Sequence, residues 1–275
     1  MVATNAGGVN VLRYGDMRAQ VVGVEAVLAD GTVLSHMGGL AKDNTGYHLA
    51  GLFTGSEGTL AVVTAVRLRL HPLPTEVVTA MLALPSASAA VAAAAQLRRE
   101  LDSLHALEAV FDGAMALVSR HLGSPPPVGA ELLRECPAAG GDAAGGDAAG
   151  GESGPVWLLA EAAGRVDPAD DLVAALARLD VGAAVPDHHV AVALDPTRRR
   201  RLWAFREQMT EAVNAAGTPH KLDVTLAPDR LAEFVANVPA VVRSADAGAT
   251  TVLFGHLGDG NVHVNVLGAG ADGGP

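Results

Sequence analysis

The rhythm of apolar and polar positions changes along the chain and marks its elements. Residues 20–35, "QVVGVEAVLADGTVLS", run apolar and small residues up to Asp30-Gly31 and away from it. Asp-Gly between such runs predicts a hairpin. "KDNTGY" (42–47) is loop chemistry, rich in residues that tolerate turns. "GSEGTLAVVTAVRLRLHPLP" reads as a glycine-flanked turn feeding a β-branched strand, which Pro72 and Pro74 stop. A domain boundary is expected there, giving units 1–73 and 74–275.

After Pro74 the pattern alternates between strand and helix. "VVTAMLALP" is a strand, and "SASAAVAAAAQLRREL" is a helix with Ser86 or Ser88 as its cap. "LHALEAVFDGAMALVSRHL" continues as strand and helix. "PVWLLAEAAG" is strand-like and "DPADDLVAALARL" a capped helix. Residues 197–215 predict one further helix, with Asp195 as cap, Pro196 in the first turn and Gly217 at the exit. "HKLDVTLAP" and "TTVLFGHLGDGNVHVNV" are strands. A sheet covered by helices follows from this order.

Composition narrows the class. Apolar residues make up 49% of the chain but aromatics only 3%, so the core is one of Ala, Val and Leu. The net charge of −11 argues against a nucleic-acid partner. Cys136 is the single cysteine, so no internal disulfide framework exists, and a reducing compartment fits. It adjoins the repeated GGDAA units of residues 136–154, read as a flexible insertion without chemistry. No secretory signal is visible, and no stretch approaches the roughly 20 apolar residues of a membrane span. A cytoplasmic protein is expected, with peripheral membrane association left open.

Several residues could carry chemistry. In "FGHLGDGNVHV" (254–264), His256 and His263 flank a Gly-Asp-Gly-Asn turn. Pairing across that turn brings the two imidazoles close, and Asn265 lies on the same strand face as His263. Two imidazoles and a carboxylate suit Zn, Mn or Fe. The spacing alone fits hairpin histidines without a ligand role better, and no third ligand is local. Asp259 is read as shaping the turn. Arg206 and Thr210 stand at i and i+4, on one helix face. Arg206 could fork a substrate carboxylate, although a solvated arginine beside the "RRRR" of 198–201 is the ordinary reading. Lys221 and Asp223 share a strand face; either Asp223 neutralises the lysine or the lysine meets an anionic ligand. "TNAGG" (4–8) and "GSEGTL" (55–60) expose backbone N–H groups as any turn would, without a GxGxxG or Walker pattern.

The order of these stretches is more specific than any one of them. "VATNAGGVNVLRYGDMRAQVVGVEAVLADGTVL", "KDNTGYHLAGLFTGSEGTLAVVT", "HKLDVTL" and "FGHLGDGNVHVNV" together resemble the FAD-linked oxidases of the vanillyl-alcohol-oxidase type. The likeness is to their D-2-hydroxyacid dehydrogenase branch, which includes D-lactate dehydrogenases, glycolate oxidase flavoprotein subunits and D-2-hydroxyglutarate dehydrogenases. It implies an α+β protein. Residues 1–73 would be the second half of a PCMH-type FAD-binding domain. Residues 74–275 would be an α/β cap (substrate) domain whose mostly antiparallel sheet is covered by helices.

The resemblance also implies roles. Thr4, Asn5, Gly7 and Gly8 would line the flavin, with Gly55, Glu57, Gly58, Thr59, Val62 and Val63 against the FAD. The family's "GTLG" is "GTLA" here, a departure at Ala61. Arg206, Thr210, Lys221 and Asn265 would bind the substrate acid, and His256 and His263 a divalent metal. The reaction implied is oxidation of a lactate-, glycolate- or 2-hydroxyglutarate-type acid by hydride transfer to FAD. Its partners would be the hydroxy acid and an electron acceptor, with a homodimer as an open assembly. The family's pyrophosphate loop and its Glu-His-Gly segment, with the third metal ligand and the base, are not found between residues 1 and 275. The chain therefore reads as truncated at both ends, with the catalytic base expected beyond Pro275. The alternative is a catalytically incompetent remnant that acts at most as a binding module.

Overall fold

A computed structural model describes residues 1–40, 42–133, 154–182 and 184–270. The Gly/Ala-rich stretch and Cys136 lie outside the described residues, apart from Gly154. The chain divides into two compact units, Met1–Leu73 and Pro74–Pro275.

The first unit holds α1 (Val11–Tyr14), α2 (Met17–Gln20), β1 (Val21–Val27), β2 (Val33–His36), α3 (Leu49–Phe53) and β3 (Val62–Leu68). Its strands form an antiparallel sheet in the order β2-β1-β3. The β1–β2 hairpin turns at Asp30-Gly31 as the sequence predicts. Gly31 takes φ +86°, and the Asp30 carboxylate accepts the Thr32 N–H at 2.9 Å. A small core of Val21, Val24, Ala26, Ala50, Phe53 and Ala61 joins the sheet to α3.

The second unit runs β4 (Glu76–Leu84), α4 (Ala87–Glu100), β5 (Leu104–Phe111), α5 (Asp112–Leu122), β6 (Val156–Gly164), α6 (Ala169–Ala177), β7 (Val190–Ala193), α7 (Pro196–Glu207), α8 (Met209–Ala216), β8 (His220–Thr225), α9 (Pro228–Ala245), β9 (Thr250–His256) and β10 (Asn261–Leu267). Seven strands pair in the order β7-β4-β6-β5-β9-β10-β8, each described pair antiparallel. β4, β5 and β6 are buried almost throughout, which matches their unbroken apolar runs. On one face Met81, Val110, Trp157, Leu159, Val252 and Phe254 pack with residues of α5, α7 and α8. Their strand neighbours, such as Leu82, Leu107 and Leu158, point the other way, where α4, α6 and α9 pack.

The caps follow side-chain chemistry. Ser86, rather than Ser88, caps α4 by accepting the Ala89 N–H, and Asp195 accepts two N–H groups at the start of α7. One expectation needs correction, and one helix is new. The helix expected over 197–215 is two helices, because Gln208 takes φ −80°, ψ −1° and ends α7 before α8 begins. α9, which no pattern above identifies, carries Pro239 in its interior, a residue that normally argues against a helix.

Candidate functional site

The "GHLGDGN" stretch folds as the sequence proposes, and glycine is what permits it. Gly260 takes φ +80°, and a Cβ there would lie 2.2 Å from the Leu226 carbonyl. A Cβ on Gly255 would lie 2.3 Å from the Asn261 carbonyl oxygen. The Asp259 carboxylate accepts the Asn261 N–H and so shapes the turn, while burial raises its pKa. The Gly258 N–H donates to the Leu107 carbonyl of β5, which ties the turn to the middle of the sheet.

Register then sets the polar face. In β10 Asn261 pairs with His256, and His263 pairs with Phe254, so β9 and β10 present these side chains together. Across the other edge of β10, His263 stands opposite Asp223 and Asn265 opposite Lys221. The imidazole rings of His256 and His263 lie 5.1 Å apart, edge to face. Each ring gives Nδ1 to a carboxylate, His256 to Glu108 at 2.7 Å and His263 to Asp223 at 2.7 Å. A carboxylate only accepts, so each neutral ring carries its proton on Nδ1 and its lone pair on Nε2. Burial depresses the His263 pKa. Asp223 opposes that shift, and the charges of His256 and Arg206 reinforce it.

Arg206 reaches the same face from α7. Its Nε donates to Glu108 at 2.6 Å, and its guanidinium lies 4.9 Å from the Phe254 ring centre. Trp203, one turn earlier, donates to Glu161 of β6 at 2.7 Å. Two strand carboxylates thus dock the inner face of α7. The structure therefore joins Arg206, His256 and His263 in one site and sets Lys221 and Asn265 beside it. Asn265 is buried; Lys221 is exposed, so it needs no neutralising partner, and Asp223 serves His263 instead. Thr210 follows on α8, beyond the break at Gln208 that parts it from Arg206 on α7, and is exposed. Of the four consecutive arginines, Arg199 is turned partly inward, with Nε buried and unpartnered. Glu108, only 1% exposed, is the residue the sequence reading misses. Its signal was available, since a lone carboxylate in "LHALEAVF" must find a partner or stay out of the core.

No third ligand atom joins His256 and His263 closely enough to share an ion among the described residues. The group that does meet this test is Glu131, His188 and His189, whose ligand atoms lie within 4.8 Å of one another on the surface.

In the first unit, the two glycine-bearing loops are knitted together. Val2 O accepts the N–H groups of Asn5 and Gly55, and Ala3 O accepts that of Glu57. Among the described residues, Asn5 and Glu57 are the non-glycine residues with positive φ, at 48° and 51°. Such backbone costs of order 1–3 kcal/mol and tends to persist at ligand sites. The Asn5 side chain is held at both ends, by Asp16 and by the Arg18 N–H. A Cβ on Gly8 or Gly58 would meet nothing within 4 Å, so both backbones are open to close approach. Thr4 and Thr59 hydroxyls bond to nearby carbonyls; Val62 is exposed and Val63 half-buried on β3.

The FAD linked oxidases, C-terminal domain family matches residues 73–274. The chain belongs to the FAD-linked oxidases. Residues 1–36 match the FAD binding domain family. The D-2-hydroxyglutarate dehydrogenase of Bos taurus, a mitochondrial protein by name, is 39% identical over 268 residues, which cover 96% of this chain and 44% of that protein. The D-2-hydroxyglutarate dehydrogenase of Xanthomonas citri is 33% identical, covering 97% and 51%. An alkyldihydroxyacetonephosphate synthase structure superposes with a TM-score of 0.61 at 14% identity, over 96% of this chain and 47% of that one, and so shares the fold. The chain spans about half the length of the curated relatives it matches. No helix among the described residues is long and apolar enough to cross a membrane.

Proposed function

We propose that the chain is the substrate-binding part of an FAD-dependent dehydrogenase that oxidises a D-2-hydroxy acid to the 2-oxo acid. The observation that carries this reading is the single polar face where Arg206, His256 and His263 converge, with Lys221 and Asn265 at its edge. A 2-hydroxy acid needs its carboxylate fixed and its hydroxyl held, and this face offers a cation for one and imidazole nitrogens for the other. Arg206 would bind the substrate carboxylate through the guanidinium nitrogens on the side away from Glu108. Lys221 would add positive charge, and Asn265 would orient the acid. Thr210 is assigned to substrate by resemblance alone.

A divalent ion fits the donor set. Nε2 of His256 and Nε2 of His263 would hold it, since both rings are fixed through Nδ1 by carboxylates in the arrangement common behind metal ligands. Zinc is the ion we assign, with Mn or Fe as alternatives; bound there, it would supply Lewis acidity that lowers the pKa of an alcohol. His263, held neutral by burial, suits that role at pH 7. FAD, when bound, accepts the hydride. On the protein side, the loops around Asn5 and Gly55 to Thr59 would receive it, supported by the positive φ of Asn5 and Glu57 and the open backbones of Gly8 and Gly58.

An electron acceptor would reoxidise the flavin. For compartment we favour the cytoplasm, on the lone cysteine, which fits a reducing environment. The first test is the visible spectrum of the purified chain with added FAD, followed by D-2-hydroxyglutarate, D-lactate and glycolate in turn with Zn²⁺. A bound-flavin spectrum bleached by one acid supports the reading and names the substrate. A chain that ignores FAD and binds none of the acids would overturn it and leave a binding role only.

A further inference from the structure

Glu108 stands in the centre of β5, a strand whose every residue is buried, and both its carboxylate oxygens are engaged. Oε2 accepts Arg206 Nε, from 98 residues later, and Oε1 accepts His256 Nδ1, from 148 residues later. These two partners have different tasks in the reading above, one for substrate acid and one for the metal. A buried carboxylate with one oxygen on each fixes both at once.

We infer that Glu108 is a shared positioning residue that locks the His256 tautomer and the Arg206 fork together, so that ion and substrate acid bind interdependently. The inference rests on the proposed roles of Arg206 and His256. Three observations support it. Glu108 is itself held rigidly, since its strand is paired on both sides, to β6 and to β9. The guanidinium is pinned on two sides, by Glu108 at Nε and by Phe254 beneath it, which leaves the remaining N–H groups aimed as a unit. The His256 ring is oriented at Nδ1 alone by a group that cannot rotate into solvent, so its Nε2 direction is inherited from β5.

The glutamine variant separates positioning from bulk. Glu108→Gln keeps the volume but can accept at one atom only, so it serves Arg206 or His256 and not both. The decisive readout needs neither activity nor ligand. ¹⁵N chemical shifts of His256 in the intact chain, at alkaline pH, report which nitrogen carries the proton. The wild-type ring is expected in the Nδ1–H form, and Glu108→Gln is expected to shift it toward Nε2–H while His263 keeps its tautomer. A wild-type His256 in the Nε2–H form would overturn the inference even if the variant fails to fold. So would a folded Glu108→Gln in which neither the His256 tautomer nor the Arg206 Nε–H resonance moves, since the amide oxygen can take over only one of the two bonds.

Calorimetric titration with Zn²⁺ supplies the second arm. Loss of the backing carboxylate should weaken zinc binding about 10–100-fold, the usual cost of a lost outer partner. It should also abolish the mutual tightening of Zn²⁺ and D-2-hydroxyglutarate that the inference expects of the wild type. Equal zinc affinity in wild type and Glu108→Gln counts against the inference. A wild-type chain that takes up no zinc yet shows the Nδ1–H tautomer would overturn the metal assignment above while upholding Glu108 as the positioning group.

Discussion

Two histidine pairs of this chain meet carboxylates, and they meet them in different ways. His188 and His189 are neighbours in sequence and share one exposed carboxylate, Glu131, at 3.7 and 2.5 Å. His256 and His263 come from two strands, and each has a carboxylate of its own, one of them fully buried. Proximity of ligand atoms alone selects the surface trio. Support selects the hairpin pair through His256, whose ring is fixed in tautomer and direction by the buried Glu108 of a paired strand before any ligand arrives; Asp223 behind His263 is as exposed as Glu131. Side chains that must be gathered at binding lose rotamer freedom at that moment. The comparison teaches that a site is recognised by what stands behind its ligands as much as by their distances.

Removing the support should have the largest effect. Glu108→Leu leaves a buried arginine without its partner, and breaking such a pair costs about 3–5 kcal/mol. The urea midpoint of the variant should fall accordingly, whereas Glu131→Leu on the surface should leave it within about 0.5 kcal/mol of wild type. Next comes the ion itself. His263→Ala should reduce zinc affinity by more than the about 10–100-fold that an outer partner is worth. His188→Ala should leave the tighter binding event intact, and a calorimetric trace in which His188→Ala removes it instead would reverse the ranking of the two pairs.

The smallest effect is in pH. His263 has a folded pKa pushed below its ordinary value of 6.5 by burial. The unfolded chain therefore binds this proton first as pH falls. The stability associated with the neutral ring is complete above pH 6.5 and declines as pH drops from 6.5 through the folded pKa. Thermal melts should show a shallower decline over that window in His263→Asn than in the wild type.

Local chemistry wrote the elements that the sequence made legible. Asp30-Gly31 named its hairpin, Ser86 and Asp195 their helices, and the apolar runs of β4 and β6 their place in a two-sided core. The face shared by His256 and His263 could be read because a hairpin is a short-range object. Glu108 could not be placed, since nothing within its own strand says that residues 98 and 148 positions later will meet it. The break at Gln208 was hidden for a related reason. Residues 197–215 satisfy helix preference throughout, and no residue among them signals locally that α7 ends at Gln208. α9 was obscured by Pro239, whose local signal contradicts the apolar face formed by Leu231 and Val235.

The separation between Glu108 and its partners has a consequence for biogenesis. A ribosome adding about 5–20 residues per second needs roughly 7–30 s to travel the 148 residues from Glu108 to His256. For the first 98 residues of that interval neither partner of the Glu108 carboxylate has been made, and for the remainder Oε1 still lacks His256. Burying a carboxylate without its partners is costly, so β5 would be expected to close into the sheet centre only after α7 and β9 are made. The same group that orients two side chains in the finished molecule would then act, while the chain is still growing, as a timer.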